Sequence, residues 1–469
     1  MRLPSRAPHP SPRRLAAEHL GRVLARRSCT PEGLADEPAY QSLDDADRRL
    51  CFELLLGTLR HLALVDAVLE RLCRRPPRFQ PPLVRNLLRT ALYQLFYLER
   101  VPDYAAVDEA VSEIRRSPYR GMGGFANGVL RAAARQGRPE AVLDVDPATP
   151  AGLALLTSHP HFLVERWLER HPREAIEAWL RRANRPPVHY LVANTRRTDA
   201  AALAAAWAAR GIAVRPARPE WPVLAVDGSL RDIDGELDAG LCYPQDLWSF
   251  AISRLVPERP YRAVADLCAA PGGKSFALSL RFLDAHVAAM DSHPDRLAVV
   301  TRRAAALGLD RIAVVVGDAA APPLPPAGFD LVLVDAPCSG TGTLQRNPDL
   351  RWKLKEEDIL RLSRLQRPIL AAAAGLVAPG GILVYATCSA EPEENEAVVD
   401  EFLERAAGAF RPLPPDAAET QFITRDGYFR TFPVATEGEG FFAAVMERRD
   451  TDCGPSDQPV STDGKSVPT

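Results

Sequence analysis

The sequence lacks the signatures of several common protein classes, and each absence narrows the interpretation. Its 8 cysteines include no C-x-x-C pair, which argues against a bound metal such as structural zinc. No apolar run reaches the roughly 18 residues of a membrane span. No secretory signal is evident, so we expect reduced thiols and a cytoplasmic location without a membrane partner. Neither a phosphate-binding P-loop nor a dinucleotide-binding G-x-G-x-x-G occurs.

An excess of charge of either sign is also missing, since the formal net charge is −2 over 469 residues. The global charge therefore predicts no nucleic-acid partner. Its distribution is uneven, however: residues 1–140 carry 23 Arg and 16 acidic residues, a balance of +7, whereas residues 141–469 carry 35 basic and 44 acidic residues. A basic N-terminal third favours a polyanionic partner. The scarcity of lysine is more typical of base composition than of function.

Helical periodicity dominates the N-terminal part of the chain. Apolar residues such as Val84, Leu87, Leu88, Leu92 and Leu95 recur near the 3.6-residue period of one helix face. Proline and glycine clusters separate the periodic segments. The pattern predicts a compact all-α domain over residues 15–140, preceded by a disordered segment at 1–14.

The rest of the chain predicts two further parts. Residues 150–258 predict helices followed by a small α/β module with strands near 188–194, 212–215 and 223–226, whose role the pattern leaves open. Strands and helices then alternate over 259–448, which is typical of a doubly wound, Rossmann-like α/β domain with a parallel sheet. We expect an edge strand at 440–446 and a disordered polar tail at 449–469. The predicted strands of the parallel sheet lie near 262–267, 286–290, 312–316, 330–334 and 381–386.

Two of the cysteines stand where strands of this sheet end. The turn Asp335-Ala336-Pro337-Cys338-Ser339-Gly340 follows one buried apolar run, and Thr387-Cys388-Ser389 follows the next. In open α/β sheets, ligands bind at the carboxyl ends of the strands, so both sulfurs are expected in one crevice. Cysteines elsewhere, such as Cys51 and Cys73, are more simply explained as small buried hydrophobic residues.

Two thiols and one acid suit the methylation of a pyrimidine at C5. Addition of a thiolate to C6 makes C5 nucleophilic, and a second group must then remove the C5 proton so that the thiol can leave. An acid near N3 would stabilise the charge that develops. Cys388, Cys338 and Asp335 could serve in these roles, although spacing alone does not decide which thiol attacks.

A loop with two glycines joins the first strand of this domain to its helix and predicts a cofactor pocket. Backbone N–H groups there are free to meet a ligand. Asp291 and Asp318 end the next two strands, where acids hold ribose hydroxyls or the adenine edge. A nucleoside bound without a phosphate loop indicates S-adenosylmethionine (SAM), although any one acid could be a capping carboxylate. The loop comprises Cys268, Ala269, Ala270, Pro271, Gly272, Gly273 and Lys274.

The N-terminal domain resembles the RNA-binding antitermination factor NusB over nearly its whole length. The segments that carry the resemblance are Leu56–His61, Leu87–Leu95, Val107–Val111 and Ala126–Arg131. Each is an ordinary amphipathic helix alone, but their order is specific.

The C-terminal domain resembles the RNA 5-methylcytosine methyltransferases. With the NusB-like domain, the resemblance over residues 15–447 is to the RsmB/Sun family of ribosomal RNA methyltransferases. It implies C5 methylation of one cytosine in 16S rRNA, with Cys388 as the nucleophile, Cys338 needed for product release, and no metal. We expect a monomer whose partner is 16S rRNA. The SAM pocket implied by the family comprises Ala269, Ala270, Gly272, Lys274, Asp291, Arg296, Asp318 and Asp335.

Two departures from the family pattern stand out. Asn194 lacks the preceding arginine, so an RNA contact is lost or supplied elsewhere, and Leu247-Trp248 replaces small residues. DNA cytosine methyltransferases use the cysteine of a Pro-Cys turn, which would favour Cys338, but the RNA family assignment favours Cys388. The alternatives are a tRNA-modifying relative with the same chemistry, or a non-catalytic RNA-binding assembly or antitermination factor.

Overall fold

The structure is a computed structural model that describes residues 11–25, 29–227, 230–414 and 420–450. Most of the two segments predicted to be disordered, 1–14 and 449–469, lies outside these ranges. The first helix, however, already begins at Pro12 rather than Leu15. Proline suits the first turn of a helix, and the backbone N–H of Arg14 donates to the Ser11 hydroxyl at 3.4 Å.

Ten α-helices, joined by turns and short 3-10 helices, occur in the described chain before the first strand. They are α1 (Pro12–Ala25), α2 (Pro38–Gln41), α3 (Asp45–Arg60), α4 (Leu62–Leu72), α5 (Pro82–Tyr97), α6 (Asp103–Arg115), α7 (Gly123–Gln136), α8 (Pro150–Thr157), α9 (His161–Arg170) and α10 (Arg173–Ala183).

The remaining strands and helices fall into two groups. The first group is β1 (His189–Ala193), α11 (Ala200–Ala209), β2 (Ala213–Pro216), β3 (Val223–Asp227), α12 (Asp234–Asp238), β4 (Cys242–Pro244) and α13 (Leu247–Leu255). The second group is β5 (Ala263–Asp266), α14 (Gly273–Arg281), β6 (His286–Asp291), α15 (Pro294–Leu307), β7 (Ile312–Val316), β8 (Phe329–Asp335), α16 (Leu350–Lys353), α17 (Glu356–Leu376), β9 (Val377–Thr387), α18 (Glu396–Arg405), β10 (Phe410–Pro412), β11 (Phe429–Arg430) and β12 (Phe442–Arg448).

The chain forms two compact units whose boundaries differ from the predicted domains. Unit A holds the residues up to Pro187 together with Gly340–Asp358 and Pro433–Glu437, and unit B holds the rest. Helices α8–α10 belong to unit A because they pack on the NusB-like helices, where the Ser158 hydroxyl accepts the backbone N–H of Ala63 at 2.8 Å. The segment after the Cys338 turn, predicted to lie in the 259–448 domain, is also part of unit A.

The core of unit A confirms the predicted helical stripes. Leu87, Leu88 and Ala91 of α5 are buried together with Val65 of α4 and Val107 of α6. A second cluster gathers the apolar faces of α1 and α3. Burial of such side chains contributes about 1.5–3 kcal/mol each, so tertiary packing rather than helix propensity holds these helices.

Two histidines in unit A have pKa values that predict sensitivity to acid. Burial, followed by the positive charges of Arg351 and Arg60, lowers the pKa of His61 to about 3. Burial also lowers the pKa of His159, whose Nδ1 donates to the carbonyl of Thr157 at 2.8 Å. Both rings are therefore neutral when the unit is folded, whereas an unfolded histidine takes up a proton near pH 6.5.

We expect unit A to lose stability as the pH falls below about 6.5, by roughly 1.4 kcal/mol per pH unit for each such histidine, because the unfolded chain binds the extra proton. The share of this loss that is due to His61 should level off near pH 3, where folded His61 would itself titrate. His61→Phe keeps a ring against Tyr97, whose centroid lies 3.8 Å away, but cannot titrate. Urea unfolding followed by hydrogen exchange of α3–α5 should therefore give a shallower pH slope for this variant. Identical slopes would show that His61 does not titrate on unfolding.

Unit B contains a small sheet and a large one. The small sheet has the strand order β2-β3-β1-β4, and its pairs are all antiparallel. Strand β4 was not predicted because three residues carry too little pattern. The buried side chain of Asn194 follows β1 and donates to the carbonyls of Gly240 and Leu307, at 2.8 and 2.9 Å. Asn194 thus joins the small module to the end of α15. This structural role does not depend on the arginine that is missing before it.

The large sheet has the order β10-β12-β9-β8-β5-β6-β7, with β11 paired to β12. Strands β5 to β9 are parallel, as predicted. The strand expected at the sheet edge, β12, lies instead between β9 and β10, because Phe410–Pro412 pairs along its outer side. The order of the strands along the chain reverses between β5 and β8, which marks the ligand crevice of this fold.

The departure at Leu247-Trp248 has a packing explanation. Trp248 is fully buried, and its ring lies 4.5 Å from that of Phe422 and 6.3 Å from that of Trp221. The larger side chain thus fills the core under α13. None of the helices in the described ranges combines the length and the apolar character needed to cross a membrane.

Candidate active site

The structure brings the two predicted thiols together. Cys338 follows β8 and Cys388 follows β9, and these strands are parallel neighbours in which Asp335 pairs with Ala386. The two Sγ atoms lie 3.3 Å apart, and both residues are partly exposed. The expectation that the two sulfurs lie close together is confirmed.

An ion pair lies at the end of the same strand. The Nζ of Lys274 is 2.6 Å from Oδ2 of Asp335. The lysine is buried while the carboxylate remains about one-third exposed, with 32% of its side chain accessible. Burial acts to lower the pKa of Lys274, but Asp335 outweighs it and raises the pKa, so the lysine stays charged. Lys274 thus fixes the position of the Asp335 carboxylate, and the accessible part of the carboxylate can still contact a ligand.

The predicted cofactor loop joins β5 to α14. The Ala269 N–H donates to the carbonyl of Met290 at 2.8 Å, which ties the loop to β6. Gly272 has φ of +109°, and a Cβ there would lie 2.2 Å from the ring of Phe276. Only glycine fits this position, which immediately precedes the first turn of α14. The first N–H groups of a helix have no partner within the helix itself, so this turn can offer donors to a ligand.

Asp291 and Asp318 lie at the ends of β6 and β7, on the same edge of the sheet as the loop. The buried carboxylate of Asp291 accepts the N–H of His293 at 3.0 Å and lies 3.2 Å from Arg296. Arg296 in turn donates to the carbonyl of Ala270 at 2.8 Å. Asp318 accepts the N–H of Ala320 at 2.9 Å, which closes a local turn rather than capping a helix.

Asp266 is a further site candidate, which the sequence patterns did not single out. It is the last residue of β5 and fully buried; Oδ2 accepts the Ser275 hydroxyl at 2.6 Å, but Oδ1 has no partner among the described residues. Burial, with the nearby charge of Asp335, raises the pKa of Asp266 to about 7 despite the bond from Ser275. The sequence did carry a signal for this residue, because Asp266 is an acid at the end of the first strand of the large sheet and stands just before the glycine loop.

These observations fit a bound nucleoside cofactor. The unpaired Oδ1 of Asp266 and the glycine loop lie at one edge of the sheet. Asp291 and Asp318 lie at the same edge. Cys268, at the start of the loop, packs on the sheet core, and burial together with three neighbouring carboxylates raises the pKa of its thiol. It is therefore a neutral wall residue rather than a nucleophile. No cluster of three metal-ligating side chains occurs within the described ranges.

Comparisons with known families agree with this fold. Residues 254–447 match the family model of the 16S rRNA methyltransferase RsmB/F. Residues 10–135 match the NusB family, and residues 159–223 match the ferredoxin-like domain of RsmF/B-like methyltransferases.

Relatives cover nearly the whole chain. The probable ribosomal RNA small subunit methyltransferase B of Bacillus subtilis (strain 168) is 34% identical over 87% of this chain and 92% of its own. The ribosomal RNA small subunit methyltransferase B of Salmonella arizonae is 32% identical over 93% and 98%. The crystal structure of PH0851 shares the fold with a TM-score of 0.78, at 24% identity over 96% of this chain and 100% of that one.

The fold and the site define a SAM-dependent methyltransferase with a Rossmann-like catalytic domain. The chain belongs to the RsmB/Sun family of 16S rRNA methyltransferases. The predicted family, fold class and cofactor are thereby confirmed.

Proposed function

We propose that this protein methylates C5 of one cytosine in 16S rRNA through a covalent bond between Cys388 and C6 of the base. The observation that carries the proposal is the 3.3 Å separation of two thiols beside the carboxylate of Asp335. The attacking group must reach C6 of the cytosine, and the group that removes the proton must reach the adjacent C5. Two neighbouring thiols can reach both atoms.

The proposed roles follow from the chemistry of cytosine. Cys388 as thiolate forms the S–C6 bond while the C5=C6 double bond opens. N3, where negative charge develops, takes up a proton from water, hydrogen-bonds through it to the carboxylate of Asp335, and returns the proton when the base is released. C5 is then nucleophilic and accepts a methyl group. Cys338 removes the C5 proton, the C5=C6 bond re-forms, and the S–C6 bond breaks to release Cys388. The target base must leave its stack to expose C6 to the thiol.

The cofactor supplies the electrophilic methyl group in this scheme. We propose that Asp266, Asp291 and Asp318 hold it through its polar groups, with the loop from Cys268 to Lys274 around it and Arg296 fixing Asp291. Asp335 would face both the cofactor and the base. The predicted cytoplasmic location and monomeric state remain predictions.

Asp291→Ala is expected to weaken SAM binding about tenfold or more, because a charge-assisted hydrogen bond contributes about 1.5–3 kcal/mol. The neighbouring exposed residue provides a matched control, since Asp295→Ala removes the same groups from the first turn of α15. Calorimetry should show the loss for Asp291→Ala alone. Equal SAM affinity for both variants would remove Asp291 from the proposed pocket.

RNA affinity is proposed to come from unit A, where one exposed surface is suited to it. This basic surface consists of Arg71, Arg74, Arg75, Arg78 and Phe79, and all five side chains are exposed. Phe79 is 55% accessible, and the guanidinium carbons of Arg75 and Arg78 lie 5.3 and 5.1 Å from its ring centre. Arginines bind phosphates, and an exposed ring stacks on an unpaired base.

We expect the double variant Arg75→Glu/Arg78→Glu to bind 16S rRNA roughly tenfold more weakly at low salt, with a log–log salt slope shallower by about 1.4–1.8. Phe79→Ala should weaken binding without changing that slope, because stacking releases no counterions. Arg135→Glu/Arg138→Glu makes the same charge change at two other exposed arginines of this domain and serves as the control. Filter binding over a range of salt concentrations measures all three, and equal losses in both double variants would contradict the assignment of this surface.

Point variants are better suited to this question than removal of residues 1–140. The segment Gly340–Asp358 packs within unit A: Trp352 Nε1 donates to the carbonyl of Leu59 at 2.8 Å, and Lys353 Nζ donates to that of Cys29 at 2.5 Å. A truncated chain would leave these groups without partners.

A further inference from the structure

A buried carboxylate links the two residues that follow the thiols. Glu394 precedes α18 and is fully buried. Its Oε2 accepts the hydroxyls of Ser339 and Ser389, each at 2.5 Å. Its Oε1 accepts the backbone N–H of Ser339 at 2.9 Å. Ser339 directly follows Cys338 and Ser389 directly follows Cys388, so one side chain joins both cysteine turns.

Further hydrogen bonds fix the position of this carboxylate. Gln366 of α17 donates to Oε1 of Glu394 at 3.1 Å and to the carbonyl of Pro337 at 3.0 Å. Tyr385 of β9 donates to the backbone carbonyl of Glu394 at 2.6 Å. Burial raises the pKa of Glu394, while the bonds from Ser339, Ser389 and Gln366 act in the opposite direction. Helix α17 therefore holds the carboxylate of Glu394, and strand β9 holds its backbone.

The ladder between β8 and β9 does not by itself fix the distance between the thiols. Its register ends at Asp335 and Ala386, so Cys338 and Cys388 both lie on turns beyond the last paired residues. Turns beyond a ladder depend on contacts other than the ladder's own hydrogen bonds, and side chains can supply them. Glu394 supplies such a contact to both turns at once, one residue from each sulfur.

We propose that Glu394 is a positioning residue that holds Cys338 and Cys388 at the spacing that their two roles require, an inference that rests on the proposed covalent mechanism. While Cys388 is bonded to C6 of the base, Cys338 must reach the proton on the neighbouring carbon, C5. If either turn loosens, the Cys338 sulfur moves away from the C5 proton that it must remove. A misplacement of about 1 Å lowers the rate roughly a hundredfold. Bridging geometry, rather than charge, is the property required of residue 394.

The spacing of the thiols can be measured without substrate or cofactor. Diamide takes two electrons and two protons from a pair of thiols to form a disulfide, and the rate depends on how often the sulfurs meet. Mass spectrometry of the digested chain identifies the peptide joined through Cys338 and Cys388. In the wild-type protein, with sulfurs 3.3 Å apart, this disulfide should form rapidly.

Glu394→Ala should form the disulfide about tenfold or more slowly, since the turns lose their common anchor. Glu394→Gln should stay within about threefold of wild type, because an amide can still accept from the Ser339 N–H and donate to the two hydroxyls. Ser339→Ala/Ser389→Ala removes the two hydroxyls that bond to Glu394 but keeps Glu394 itself. It therefore tests the same link if Glu394→Ala does not fold. Leu203→Ala, a cavity variant in the core of the small module, controls for lost stability.

Wild-type disulfide rates in both Glu394→Ala and the double serine variant would overturn the inference, as would an equal slowing in Leu203→Ala. Methyl transfer measured in parallel should fall with the disulfide rate across the series. If the wild-type protein transfers no methyl group to 16S rRNA, the proposed function fails. The disulfide rates then still report whether Glu394 sets the spacing of the sulfurs.

Discussion

Cys338→Ala is expected to leave 16S rRNA bonded to the protein, as a species that survives a denaturing gel. Cys388 can still add to C6, and the methyl group can still reach C5. Without Cys338 the C5 proton stays in place, so the S–C6 bond cannot break by elimination. Turnover should stop after one addition, which makes this effect close to all-or-none.

Cys388→Ala should abolish both methylation and the adduct, because the nucleophile is gone. The double variant should show no adduct either. Cys242→Ala, which removes a buried thiol of the small module, should behave as wild type. Labelled rRNA on denaturing gels reads out all four proteins. An adduct in Cys388→Ala but none in Cys338→Ala would reverse the two roles, and no adduct in either would remove support for the covalent mechanism.

Arg351→Met is expected to destabilise unit A by about 4 kcal/mol or more, the largest effect on stability that the structure predicts. Arg351 is fully buried in the segment Gly340–Asp358. Its loss would leave backbone carbonyls buried without donors, each at a cost of about 1–3 kcal/mol. Its two terminal nitrogens donate to Arg60 O, Ser158 O, Asn184 Oδ1, Ala183 O and Leu344 O, at 2.7–3.2 Å.

The control for this prediction lies in the same segment. Lys355→Met makes a similar change of size and charge at a side chain that is 64% exposed, and it should change stability by less than about 0.5 kcal/mol. Thermal unfolding combined with hydrogen exchange of α3, α8 and α10 compares the two variants. Similar stability of both proteins would show that Arg351 does not hold this segment in unit A.

The placement of both cysteine turns at one edge of the sheet could be predicted from the sequence, because parallel strands end at the same edge. The spacing of the sulfurs depends in addition on contacts such as those of Glu394. The sequence pattern identified two apolar runs as buried strands, and each of them ends in a cysteine turn. The cofactor loop and its acids could be predicted for the same reason. Each of these features follows from local pattern and the edge of the sheet at which strands end.

Long-range polar contacts could not be predicted in this way. Glu394 bonds Ser339 across 55 positions of the chain, and no periodic pattern marks such a partner. Arg351 lies in a charged segment that favours a surface position, yet its acceptors come from four separate stretches of unit A. Strand β12 was misplaced at the sheet edge because the short strand that covers it, Phe410–Pro412, carries no signal of its own.

Release of tritium from 16S rRNA labelled at C5 of cytosine tests the central claim most directly. The proposed mechanism replaces the C5 hydrogen of the target cytosine by a methyl group. It therefore predicts that one tritium atom enters the water for each methyl group transferred from SAM, and that Cys388→Ala releases none. Methyl incorporation with the tritium retained would place the methyl group on another atom and contradict the account.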